Sequence, residues 1–171
     1  RKILSENDID KNIRNIEKIL KIFLKEKDKS TKPIFVNNYD WLKKLKYISF
    51  LREIGKHFTI NKMLSFDSIK LRLDREQSLS YMEFNYMILQ AYDFLELNKQ
   101  KNCILQIGGS DQWGNILNGV ELIKRHNNTQ AYGLTTPLIT ISSGAKMGKT
   151  EKGAVWLDGN LLSPYEYWQF W

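Results

Sequence analysis

A single cysteine, Cys103, stands in 171 residues, which rules out a disulfide within the chain. That usage suits a reducing compartment, so a cytoplasmic protein is expected. Histidine is scarce too: His57 and His126 lie far apart, and neither sits in a metal-ligand pattern, so no protein-bound metal is expected. No uncharged apolar run approaches the roughly 20 residues needed to cross a bilayer, and no membrane role is expected. The first residues, Arg1 to Asp8, turn polar at once, unlike a signal peptide. The sequence has no initiating methionine, so it is expected to begin inside a longer protein. There are no internal repeats and no low-complexity segment.

What is present is 42% hydrophobic and 26% charged, the make-up of one ordinary domain or a large piece of one. Such a length can bury a sizeable core without a metal or disulfide staple. The formal charge of +7 favours polyanions such as nucleotides or RNA. The competing explanation is a lysine-rich surface kept for solubility, and the scattered lysines favour it on charge alone.

Ser5 and Asp8 open a helix whose apolar residues recur at helical spacing over 6–26. Ile34 to Val36 is a candidate strand, 41–54 a second helix stopped at Gly55, and 61–73 a shorter one. Ser80 and Glu83 have capping-box spacing before an apolar helix reaching about Leu97. Residues 103–107 read as a buried strand, 112–125 as a helix, 134–140 as a strand and 154–157 as a short strand. Ser163-Pro164 starts a last helix. Helices alternating with strands predict an α/β fold with a parallel sheet.

Three groups of residues could carry chemistry. Tyr86, Gln90 and Asp93, spaced i, i+4, i+7, share one stripe of an otherwise apolar helix. Buried without partners they would be costly, so they either grip a small polar ligand or face water. Gly108-Gly109-Ser110-Asp111-Gln112 joins a strand to a helix, where backbone amides can approach a ligand and Asp111 can accept from ribose hydroxyls. It is not the dinucleotide fingerprint, and a plain connector turn is the alternative. Lys146-Met147-Gly148-Lys149-Thr150 sets two lysines where both can reach one polyphosphate; an exposed basic loop is the alternative. The five tryptophans read as core packing.

An ordered set of segments goes further than any of these alone. NNYDWL at 37–42, FLREIGKHF at 50–58, FNYMILQAYDF at 84–94 and QIGGSDQWGN at 106–115 are followed by PLIT at 137–140, KMGKT at 146–150, GAVWLD at 153–158 and SPYEYWQFW at 163–171. In order and spacing, across essentially the whole chain, this set resembles the bacterial-type tyrosyl-tRNA synthetases, a class I aminoacyl-tRNA synthetase family. The resemblance implies a partial Rossmann-like parallel sheet with a helical insertion. It implies activation of L-tyrosine by Mg2+-bound ATP to tyrosyl-adenylate, then transfer to the 3′ end of tRNA(Tyr), by an enzyme that is a homodimer with Tyr81 as a candidate interface aromatic.

Carried onto matching positions, the resemblance gives Asp93 the substrate phenol and Tyr86 and Gln90 its ammonium group, with Gln106 in support. Gly109 and Asp111 meet the ribose, Gln112 the tyrosyl carboxylate, and Leu138 and Ile139 the adenine. Lys146, Lys149 and Thr150 match the signature loop usually written KMSKS, and would stabilise pyrophosphate charge. The family's His-x-Gly-His motif does not occur in 1–171, nor does its anticodon-binding region. The chain is therefore expected to be a partial catalytic domain, inactive by itself. A truncated synthetase-like module that binds RNA or a partner without catalysis is the alternative.

Overall fold

The computed structural model of the chain describes residues 4–26, 28–140, 147 and 155–171. They fall into two compact units, one of residues 38–139 and one of 1–37 with 140–171.

In the second of these, α1 (Glu6–Phe23) starts at the expected capping box. Ser5 Oγ accepts from the Asp8 amide at 3.2 Å and Asp8 accepts from the Ser5 amide at 3.2 Å. The helix stops three residues short of the predicted end. Helix α8 (Pro164–Phe170) is opened by Ser163 and Glu166 in the same reciprocal way, with proline at the first position. No strand forms at 34–36 or at 155–157. Residue 154 lies outside the described residues. A three-residue apolar run has strand propensity but becomes a strand only where a neighbour pairs with it.

The other unit carries α2 (Tyr39–Leu42), α3 (Tyr47–Glu53), α4 (Ile60–Leu64) and α5 (Asp67–Asp74). Then come α6 (Tyr81–Lys101), β1 (Leu105–Gly109), α7 (Trp113–Asn127) and β2 (Tyr132–Thr136). The single helix expected over 41–54 is two helices, for a geometric reason. Trp41 and Phe50 are nine residues apart, which at 100° per residue puts them on opposite faces of one continuous helix. The break lets both face α6: the Trp41 indole reaches Asp93, and the Phe50 ring meets Tyr92 edge-on at 5.4 Å. Gly55 begins a 3-10 turn after α3 rather than capping it. The helix expected over 61–73 is likewise split, between Ser65 and Asp67.

Helix α6 starts at Ser80 and Glu83 as expected but runs past the expected end at about Leu97 to Lys101, where a left-handed Asn102 at φ 53° stops it. It packs on α7, with Phe94, Leu95, Ile116, Leu122 and Ile123 fully buried. Each such side chain contributes about 1.5–3 kcal/mol of burial free energy. Strands β1 and β2 pair in parallel, Leu105 beside Tyr132 and Ile107 beside Leu134, with α7 as the crossover. The sheet and its connecting helix are as predicted, but β1 starts two residues later and β2 two residues earlier than expected. The expectation of a buried strand is corrected: Leu105 is 44% and Ile107 61% exposed.

Candidate functional site

Helix α6 presents the predicted stripe as a connected set. The Tyr86 hydroxyl donates to Gln90 Oε1 at 2.8 Å, and Gln90 Nε2 reaches Gln106 Oε1 on β1 at 3.5 Å. One turn on, Asp93 accepts from the Trp41 indole Nε1 at 2.7 Å on one oxygen and from Asn38 Nδ2 at 3.0 Å on the other. A carboxylate oxygen has capacity for a second donor, so Asp93 can still receive a ligand hydroxyl. Asp93 is half-buried and Tyr86 is 51% exposed, so the stripe has one end among packed side chains and the other open. The Tyr86 end does face water, whereas Asp93 is engaged by Trp41 and Asn38.

The strand-to-helix turn lies close enough to act on the stripe. Burial raises the Tyr86 phenol above its ordinary range, and the charges of Asp93 and then Asp111 raise it further. Tyr86, Asp93 and Asp111 thus share one electrostatic neighbourhood. The turn itself is tight. A methyl group added at Gly109 would lie 2.6 Å from Leu138 Cδ2 and 2.9 Å from Asp111 Oδ1, so only glycine allows Leu138 to lie over the turn beside Asp111. Gln112 is held by Asn115, whose Nδ2 donates to its Oε1 at 3.1 Å.

The structure therefore joins Tyr86, Gln90 and Gln106 in one hydrogen-bonded set with Asp93 one turn further on, and gathers Gly109, Asp111 and Leu138 at the turn after β1, where Gln112 is held by Asn115. Ile139 is 54% exposed. Lys146, Lys149 and Thr150 lie outside the described residues. Among the described residues no group of three or more His, Cys, Asp or Glu could hold a metal ion, and no helix is long and apolar enough to cross a membrane.

Two site residues escaped the sequence reading, Asn38 and Trp41. Of the five tryptophans expected in the core only Trp41 is buried, the others being 50–69% exposed, and its indole N–H also needs an acceptor, which is Asp93. The signal was available in part: Asn38 and Trp41 are three apart, which puts an amide and an indole donor on one side of a turn.

This arrangement sets a carboxylate held by two donors on the same helix stripe as two neutral polar groups, with a glycine turn bearing a second carboxylate after β1. Comparison with known proteins shows the family to which the chain belongs. A family model described as tRNA synthetases class I (W and Y) matches residues 1–171. The chain is 78% identical over 171 residues to a tyrosine–tRNA ligase of Pelagibacter ubique (strain HTCC1062), covering 100% of this chain and 42% of that protein. It is 60% identical over 171 residues to a tyrosine–tRNA ligase of Mesorhizobium japonicum, covering 100% of this chain and 41% of that protein. Among solved structures, a C-terminally truncated mitochondrial tyrosyl-tRNA synthetase of Aspergillus nidulans matches with a TM-score of 0.78 at 28% identity, over 99% of this chain and 51% of that one. The corresponding Coccidioides posadasii structure gives a TM-score of 0.74 at 30% identity, over 92% of this chain and 48% of that one. The chain spans about two fifths of the length of the curated relatives it matches.

Proposed function

The chain belongs to the class I tRNA synthetases (W and Y), and from that premise we propose that it forms the tyrosine- and ATP-binding part of a cytoplasmic tyrosine–tRNA ligase. The observation that carries the reading is Asp93, an anion fixed by two donors at the inner end of a polar stripe. In this reading its remaining acceptor capacity takes the phenol hydroxyl of L-tyrosine. Tyr86 and Gln90, steadied by Gln106, take the ammonium group. Gln112 receives the carboxylate, and Gly109 and Asp111 the ribose of Mg2+-bound ATP, with Leu138 and Ile139 against adenine.

The tyrosine carboxylate then attacks the α-phosphate, the bond to pyrophosphate breaks, and Lys146, Lys149 and Thr150 stabilise the charge leaving with it. The tyrosyl group of the adenylate passes to the 3′-terminal ribose of tRNA(Tyr). Residues 1–171 make up part of the catalytic domain in this reading, and the His-x-Gly-His motif and the anticodon-binding region belong to other parts of the enzyme. A homodimer is part of the same proposal. It is supported by an exposed aromatic pair, Tyr47 and Tyr81, whose hydroxyls lie 3.1 Å apart, flanked by Ile48 at 73% and Met82 at 77% exposure. Sedimentation of the complete protein as a monomer would count against it.

Specificity follows from Asp93. A site built to hydrogen-bond a substrate hydroxyl rejects the analogue that lacks it, a rule for which tyrosyl-tRNA synthetases are themselves the standing example. Tyrosine-dependent ATP–pyrophosphate exchange by the complete protein tests the reading. Asp93→Ala should weaken tyrosine by about 10- to 100-fold, the worth of a hydrogen bond to a charged group, and flatten its preference over phenylalanine. A full preference surviving in D93A refutes the assignment. The isolated 171 residues should give no exchange.

A further inference from the structure

We propose that Phe66 is a positioning residue, whose ring, seated against Gly114, fixes the first turn of α7 and so sets the Asp111–Gln112 turn. The inference rests on the functional reading above, because it concerns the groups assigned there to ribose and carboxylate.

Phe66 occupies the break between α4 and α5, with extended backbone at φ −71° and ψ 136°. One side of it packs on the apolar cluster of Met63, Ile69 and Met87, which joins both short helices to α6. Its ring also lies against the backbone of α7. A methyl group added at Gly114 would stand 2.8 Å from Phe66 Cδ1, 3.0 Å from Cγ and 3.3 Å from Cε1. Only a residue without a side chain lets the ring come so close.

From Gly114 the contacts run directly to the site. The next residue, Asn115, holds Gln112 through the 3.1 Å bond already described. The Gln112 stem lies against Gly108 at the end of β1, where an added methyl would be 3.1 Å from Gln112 Cβ. A shift of the first turn of α7 therefore moves Gln112 by its side chain and Asp111 by its backbone.

A second attachment holds the same face of α7. Glu121 is seven residues beyond Gly114, so the two share one side of the helix. Glu121 pairs with Lys62 of α4 and, at 3.0 Å, with Arg125, which also donates to the His57 carbonyl at 2.6 Å. The Lys62–Glu121 ion pair anchors the middle of α7 to α4, and Phe66 sets its beginning.

The test uses the complete protein, with steady-state exchange kinetics, tyrosine binding, and amide hydrogen exchange over residues 110–115. Phe66→Ala should lower kcat/KM for ATP about 10- to 100-fold, since a misplacement of about 1 Å can cost about 100-fold. Tyrosine affinity should fall less than this, because of the groups assigned to tyrosine only Gln112 is displaced while Asp93, Tyr86 and Gln90 on α6 keep their places. Gly114→Ala should produce the same defect by displacing the ring. The F66A/G114A pair should recover activity relative to either single change, because the new methyl group fills space the ring has left. Amides 110–115 should exchange faster in F66A while those of residues 90–100 do not. A lower melting temperature with unchanged ATP kinetics, equal loss for tyrosine and ATP, or no mutual rescue overturns the inference. A wild-type protein without exchange activity refutes the functional reading instead, and the amide measurement then decides the role of Phe66 alone.

Discussion

Asp93 meets its two donors from 52 and 55 residues away in sequence, through Trp41 and Asn38 respectively. Spacing along one helix revealed the stripe, because Tyr86, Gln90 and Asp93 recur with the helical period. It could not reveal which distant group would face it. A tryptophan is read as core from its apolar area, and here that reading is correct for the ring and incomplete for the N–H. The indole bond gives a test that leaves packing almost untouched. Trp41→Phe keeps an aromatic ring against α6 and removes the donor on Asp93. A hydrogen bond to an ionised group contributes about 1.5–3 kcal/mol, so tyrosine should bind about 10- to 100-fold more weakly. Calorimetric titration of the complete protein measures this, and an unchanged affinity would mean that Asn38 alone suffices to hold the carboxylate.

At the scale of elements, the starts of helices were the most legible features, because an N-terminal cap is a local interaction between residues three apart. The boxes at Ser5–Asp8 and Ser80–Glu83 form as their spacing implies, and the expected Ser163 cap forms with Glu166 completing a box that the sequence reading did not name. The interiors were less legible: 41–54 and 61–73 read as single helices, and tertiary burial breaks both. The box at α6 is tied to the insertion, since Arg72 of α5 pairs with Glu83 at 3.2 Å. The Ser80 amide, then the Arg72 guanidinium and the Ser80 hydroxyl, lower the Glu83 carboxyl to about 2. A carboxyl lowered on folding stabilises the native state above its ordinary range near 4.5, and that contribution fades as pH falls toward 2. Denaturant unfolding should therefore show Glu83→Gln less stable than wild type at neutral pH, with the gap closing between pH 4.5 and 2. Ser80→Ala should cost about 1 kcal/mol through the lost cap. A gap independent of pH would place the loss in packing rather than in charge.

For the whole molecule, alternation of helix and strand gave the α/β class, and β1–α7–β2 is the parallel unit it implied. Burial of the sheet was not legible, because an apolar strand is read as covered whatever covers it. Leu105, Ile107, Tyr132 and Leu134 line one face and are 44–61% exposed. Parallel sheets are ordinarily covered on both faces, and the matched relatives are more than twice as long as this chain. The isolated 171 residues should therefore bind an apolar dye such as ANS strongly. Replacing Ile107 and Leu134 with lysine should reduce that binding, since both side chains would then present charge on the open face. In the complete protein the same pair of changes should do the opposite of relieving exposure. If further elements cover this face, two buried charges without partners replace two apolar contacts, and the protein should be severely destabilised or fail to fold. Equal tolerance of the double substitution in both forms would show that this face stays open in the complete protein.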